Sequence, residues 1–240
     1  MRKSRIVEQA REDLKTQIDA RYKKSTQRFF KEPVSYLGVR TPTVRQIGKK
    51  YWPQVKNLSK KEIFDLCEQL LEGQYNEEKT IAFQWAFRPK RQYSPNDFPR
   101  FERWLKKYVT NWGLCDDFCT HALGELVLQY PQLVKQTYAW AKSKNRWLKR
   151  AAAVVLIYSI RQKDILKEVF RVSQKLLRDP DDLVQKGYGW LLKEAANRYQ
   201  KPVFAFVVEN KSQMSRTALR YAIEKMPSNL KKQAMAWNEK

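Results

Sequence analysis

The chain predicts an all-α fold, an α-solenoid of antiparallel helix pairs. Three observations point there. Apolar residues recur at helical spacing along nearly the whole length, and no convincing run of period-two alternation interrupts them. Only 7 of the 240 residues are glycine, well below the usual share of about 7%, which disfavours a turn-rich β fold and any glycine-rich phosphate loop. Signals that start or stop a helix recur throughout.

Taken in order, the periodicity predicts helical segments near residues 43–56, 59–73, 76–88, 95–109, 112–129, 131–143, 146–161, 164–178, 181–199, 202–210 and 212–226. The second is the best marked. Ser59 and Glu62 have capping-box spacing ahead of Ile63, Phe64, Leu66 and Leu70, and Gly73 fits its exit. Ser94 and Pro95 can cap the fourth. Pro131, Pro180 and Pro202 stand where helices can begin, because a proline in the first turn loses no intrahelical bond. Short helices in series, each burying one face on its neighbours, give a solenoid with a period of roughly 35 to 45 residues. No Pro/Gly/Ser-rich linker breaks the series, so residues 1–240 read as a single domain.

The charge is the next constraint. Lys and Arg number 48 against 25 Asp and Glu, a formal surplus of +23 on a chain that also carries 8 Trp, 12 Tyr and 11 Phe. Such a surplus calls for a polyanionic partner, and nucleic acid is the foremost one: each phosphate neutralised releases counterions, with a slope of roughly −0.9 per contact. Membrane surfaces and acidic proteins also attract basic chains. Cations cluster at Arg21 to Lys24, Lys49 and Lys50, Lys60 and Lys61, Arg88 to Arg91, Lys106 and Lys107, Lys142 to Lys149 and Lys211 to Arg220. In a curved solenoid, repeated basic helix ends form a concave basic face that tracks a phosphate backbone; equally, each is a solvated helix end placed against the dipole. The start of the chain has no apolar signal region, and the longest apolar run, Ala151 to Ile160, is about half a membrane span. The expectation is a monomer in a reducing bacterial cytosol or nucleoid, with 3 free cysteines and no membrane association.

Two stretches are chemically unusual. In Asn111 to Cys119, helical spacing puts Trp112, Cys115, Asp116, Cys119 and Leu123 on one stripe. Asp116 is thus placed on a semi-buried face, where a carboxylate must be paired or put to use; it is a site candidate, or it starts the helix, or it pairs with an arginine. Asp117 is expected to face solvent. Cys115, Cys119 and the only histidine, His121, do not make a metal site, since His121 lies roughly 200° around the helix from Cys119 and a zinc site wants about four ligands. No metal and no cofactor is expected. In the second stretch, Lys186 to Trp190, two glycines stand inside a helical pattern at about 1 kcal/mol each relative to Ala. Their backbone must approach either another helix or a nucleic acid strand. Ahead of the most apolar helix, Asn145 to Arg150 mixes cations with an indole; Trp147 reads as core and Arg150 as a phosphate ligand.

These stretches together resemble the AlkD-type family of DNA alkylation repair glycosylases, which are HEAT-like α-solenoids. The resemblance spans the chain. It is carried by Ala20 to Lys23, Tyr36 to Pro42 followed by Arg45, Trp112 with Asp116, Leu123 to Glu125, Pro131 with Leu133, Trp147 to Ala152, and Gly189 to Glu194. It implies that Asp116 is the catalytic carboxylate, with Trp112 and Trp190 flanking the deoxyribose of the lesion. It further implies that Arg150 contacts the backbone nearby, that Tyr22 lies by the duplex and that Arg40 and Thr41 touch phosphates. Arg45, Trp147 and Lys186 complete the set expected to bind DNA. The partner implied is double-stranded DNA containing alkylated bases, and the reaction is hydrolysis of the N-glycosidic bond of cationic N3- or N7-alkylated purines. Asn111 and Gly113 depart from the family pattern of a bulky residue before Trp112 and an acidic one after it. The competing reading is a non-catalytic helical-repeat module that binds DNA or an acidic partner, with Asp116 structural.

Overall fold

The computed structural model describes residues 2–236, with side chains from Arg5 onward. The described residues are all-helical, and the chain divides into two compact units, 1–122 and 123–240.

The first unit contains α1 (Arg2–Thr16), α2 (Ala20–Thr26), α3 (Thr41–Val55), α4 (Lys60–Leu71), α5 (Asn76–Phe87), α6 (Phe98–Tyr108) and α7 (Trp112–Cys119). Helix α1 packs on α3 and α4, and α5 packs on α3, α4 and α7. The core between them is aromatic. Phe101 lies 5.3 Å from both Phe64 and Phe118, and Phe118 stacks on Phe83 at 4.5 Å. Each such ring taken out of water stabilises the fold by roughly 1.5–3 kcal/mol. Helix α4 begins at the capping box expected of Ser59 and Glu62. Ser94 closes a second capping box with Asp97, but on a short 3-10 turn, Pro95–Asp97, that leads into α6.

The second unit contains α8 (Ala122–Gln129), α9 (Val134–Trp140), α10 (Arg146–Ile160), α11 (Leu166–Leu176), α12 (Asp182–Asn210), α13 (Arg216–Ile223) and α14 (Ser228–Met235). Its centre is α10, where Ala151 through Ile157 are all fully buried, against α9, α11 and α12. That all-round burial explains the long apolar run. Helix α12 is two helices joined at Tyr199, whose φ of −128° and ψ of 50° are not helical. The break falls between the two segments the sequence predicts, and Pro202 then sits in the first turn of the second.

The elements differ from expectation in three ways. The segment 112–129 is two helices, because α7 ends at Thr120, whose hydroxyl donates back to the Asp116 carbonyl at 2.7 Å. The segment after Pro131 opens as a 3-10 turn before α9. Helices α1, α2 and α14 have no counterpart among the predicted segments: α2 has only 7 residues, of which one is buried, so it shows little apolar periodicity. No helix among the described residues is long and apolar enough to cross a membrane.

Candidate nucleic-acid interface and active site

In the first unit, four of the residues singled out in the sequence line one cavity. Tyr22 from α2, Thr41 and Arg45 from α3, and Trp112 from α7 surround about 470 Å³, together with Phe29, Phe30, Tyr36, Thr80 and Asp117. The sequence reasons for this convergence are local. Asp19 caps α2 by accepting the Tyr22 N–H at 2.9 Å, and its own N–H donates to the Gly38 carbonyl at 3.0 Å, which ties α2 to the extended segment before α3. Gly38 has a φ of 105°, and a Cβ there would stand 2.7 Å from that of Lys23. Only glycine permits this approach. Arg40 follows, exposed, with its guanidinium 4.9 Å from the Tyr22 ring centroid and 3.1 Å from Asp19. The Tyr22 N–H, aided by Arg40 and against burial, holds the Asp19 carboxyl below its usual range.

Helix α7 starts at Asn111, whose side chain accepts the Leu114 N–H at 3.0 Å. The residue that departs from the family pattern is therefore a helix cap. Trp112 is half-buried. Its indole N–H reaches the Phe29 carbonyl at 3.4 Å, and its ring stacks on Phe30 at 5.2 Å. Cys115, Cys119 and Leu123 of the proposed stripe are fully buried, whereas Trp112 and Asp116 lie half-buried at its edge. The two buried thiols thus belong to the core. Among the described residues, no three His, Cys, Asp and Glu side chains gather as they would around a metal ion.

Asp117 corrects the sequence reading. It does not face solvent: only 14% of its side chain is exposed, and it pairs with Arg45 and lies 3.3 Å from His121 Nδ1. His121 also donates from Nδ1 to the Asp117 backbone carbonyl at 2.8 Å. The side-chain bond to Asp117 raises the His121 pKa, against burial. Arg45, expected to bind DNA, spends its guanidinium on Asp117 and on the Thr80 carbonyl at 3.4 Å. A 72-residue separation hides this pair from any reading of local spacing.

In the second unit, Arg150 is 6% exposed, and its guanidinium donates to the Leu183 carbonyl at the start of α12. Gly187 leaves room for it: a Cβ there would stand 3.2 Å from the Arg150 Cγ. A Cβ on Gly189 would stand 2.8 Å from the Ala218 carbonyl oxygen of α13. The two glycines therefore serve packing within the protein, the first of the two explanations open to them. Trp147 is buried, as its core reading requires, beneath Arg146. Trp190 is half-buried and donates its indole N–H to Glu194 at 3.0 Å. Glu194 also accepts Arg161 at 3.0 Å, and these bonds outweigh burial to lower its pKa. Lys186 sits 3.3 Å from Asp182, one turn earlier on α12.

Many of the basic clusters carry internal partners. Lys50 pairs with Asp13, Lys60 with Asp97, Lys106 with Glu102 and Lys149 with Asp179. These pairs join cations to acidic residues already subtracted in the formal charge, so the surplus of +23 is undiminished by them.

Comparison with known proteins adds the relation. A solved structure described as a predicted DNA alkylation repair enzyme from Enterococcus faecalis superposes with a TM-score of 0.78 at 14% identity, covering 88% of this chain and 98% of that one. At that identity the likeness is one of fold. No curated protein matches the sequence significantly. The family model for DNA alkylation repair enzymes matches residues 10–226, and over that span the chain belongs to the DNA alkylation repair enzyme family.

Proposed function

We propose that the protein is a DNA glycosylase that hydrolyses the N-glycosidic bond of cationic N3- or N7-alkylated purines in duplex DNA. The observation that carries this reading is the half-buried pair of Trp112 and Asp116, one helical turn apart on α7, in a chain of the DNA alkylation repair family. Alkylation at N3 or N7 puts a positive charge on the base, so it departs neutral and needs little help from an acid. The charge then develops on the sugar as the bond from C1′ to nitrogen breaks. A carboxylate about 4 Å away would contribute on the order of 4 kcal/mol at an effective dielectric of 20. That corresponds to roughly a thousandfold in rate.

Asp116 takes this role, orients the water whose oxygen bonds to C1′ as the base leaves with the electron pair of the broken bond, and accepts that water's proton. The indole of Trp112 presents an electron-rich ring to the cationic sugar or base. Trp190 is the proposed second indole against the deoxyribose. Lys186 in the second unit, and Arg40 and Thr41 in the first, are the proposed backbone contacts; Arg150, 6% exposed with its guanidinium on the Leu183 carbonyl, is not among them.

The test is release of 7-methylguanine and 3-methyladenine from methylated duplex DNA. Wild type releases both, Asp116→Asn is slower by about a thousandfold, and Trp112→Ala falls between. Undiminished release by Asp116→Asn would sink the assignment.

A further inference from the structure

The turn that follows α2 points one ring inward and its neighbour outward. Phe30 lies between Trp112, stacked at 5.2 Å and 20°, and Tyr36, tilted at 5.6 Å. Phe29, one residue earlier, is 72% exposed, the most exposed large apolar side chain among the described residues. Three hydrogen bonds hold the turn in this attitude. The Phe30 N–H donates to the Gln27 carbonyl at 3.2 Å, the Gln27 side-chain amide to the Glu32 carbonyl at 3.2 Å, and the Trp112 indole N–H to the Phe29 carbonyl at 3.4 Å. The exposed ring therefore stands on a braced support.

A single exposed ring needs no explanation by itself. Its surroundings give this one a partner. Residues 20–31 contain 5 cations, Arg21, Lys23, Lys24, Arg28 and Lys31, and no acidic side chain, and the first four of these cations are exposed. Cations that flank an apolar ring match a surface on which phosphates border apolar edges, and the phosphates and deoxyribose rings of duplex DNA form such a surface. An anionic membrane would take a wide apolar face rather than one ring. A second copy of the chain would set the same cations against each other, like charge against like.

We infer that Phe29 is a DNA-contacting residue whose ring rests on the sugar edges of a duplex with its bases still stacked, while Arg21, Lys23, Lys24 and Arg28 meet the neighbouring phosphates. The place of this contact along the strand rests on the glycosylase reading, which puts Trp112 at the deoxyribose of the lesion. The Phe29 carbonyl is bonded to the Trp112 indole, and successive nucleotides of a strand rise about 3.4 Å. The ring thus meets a sugar about one or two nucleotides from the lesion. Because Phe30 and the Phe29 carbonyl also hold the indole, the turn that touches the duplex is the one that sets the attitude of Trp112.

The experiment is fluorescence anisotropy of a labelled, unmodified duplex titrated with the full chain over a salt series. Phe29→Ala is expected to bind about tenfold more weakly, as the loss of one partly buried ring would give. Its salt slope is expected to stay that of wild type, because a ring neutralises no phosphate. Phe29→Tyr, which keeps the ring, restores binding. Circular dichroism verifies the fold of both variants, and the exposed position makes a folding defect an easy outcome to separate. Undiminished binding by Phe29→Ala, or no duplex binding by wild type, overturns the contact. It is also overturned if duplex affinity is unchanged while Phe29→Ala abolishes self-association in ultracentrifugation or binding to phosphatidylglycerol vesicles. Release of methylated bases separates this contact from the glycosylase reading: weakened duplex binding by Phe29→Ala with no release by wild type retains the contact and removes the activity, while release by wild type with undiminished binding by Phe29→Ala does the reverse.

Discussion

The buried carboxylate of Glu77 accepts the backbone N–H of Gly38 at 2.8 Å, across 39 positions of sequence. The same carboxylate takes the N–H groups of Leu37 at 3.1 Å and Val39 at 3.0 Å. One side chain at the start of α5, 2% exposed, thus satisfies three donors of the extended segment that delivers Arg40 and Thr41 to the mouth of the cavity. Losing one charged partner of buried donors costs about 1.5–3 kcal/mol. Glu77→Ala is expected to destabilise by at least that amount in chemical denaturation. Gly38→Ala, which forces a side chain into positive φ, is expected to cost about 2 kcal/mol.

His121 makes stability depend on pH near neutrality. Its pKa is raised by Asp117, against burial and the opposing charge of Arg45. A raised pKa means that the contribution is fully present below the unfolded value of 6.5 and is lost as pH rises through the folded one. The denaturation midpoint is therefore expected to fall between pH 6 and pH 9 by an increment that His121→Asn lacks. Identical pH profiles for the two proteins would count against the pairing.

A second pH effect lies on the acid side. Burial pushes Glu68 up, but hydrogen bonds from Arg100, Trp104 and Arg103 outweigh it and hold the group down to about 2. A depressed pKa contributes stability above the unfolded value of 4.5 and loses it as pH falls toward 2. Glu68→Gln is expected to be less stable than wild type at pH 6, with the gap narrowing at pH 3. Paired denaturation curves at the two values check this.

Arg40 is exposed, and its guanidinium already rests on Tyr22 and Asp19. If it contacts phosphate, Arg40→Ala lowers duplex affinity uniformly across sequences and reduces the slope of log affinity against log salt by about 0.9. Fluorescence anisotropy over a salt series measures both, and an unchanged slope would place Arg40 off the DNA.

Arg150 is expected to show its effect first in stability. Arg150→Ala removes a buried donor from the Leu183 carbonyl and leaves a void beside Gly187, a loss of roughly 2–3 kcal/mol. Unchanged thermal and chemical denaturation would contradict its buried position.

Helix boundaries were legible where the code is local. The Ser59 and Glu62 capping box, the apolar run of α10 and the break before Pro202 all follow from residues within a few positions of one another, and the structure agrees with each. The short α2 was not legible, because it is held by Asp19 and by the Gly38 segment rather than by an apolar face of its own.

The helical class, the surplus of cations and the placing of Trp112 and Asp116 one turn apart are written in the composition and in the 3.6-residue period. That Asp117 faces Arg45, that Phe30 stacks on Trp112 and that Glu77 holds the segment before α3 follows from long-range packing instead. Those partners stand 72, 82 and 39 positions apart. No local period relates them; packing of α5 against α3 and α7 brings them into contact. Two adjacent, half-buried carboxylates on one short helix thereby come to face different surroundings, Asp117 being turned to Arg45.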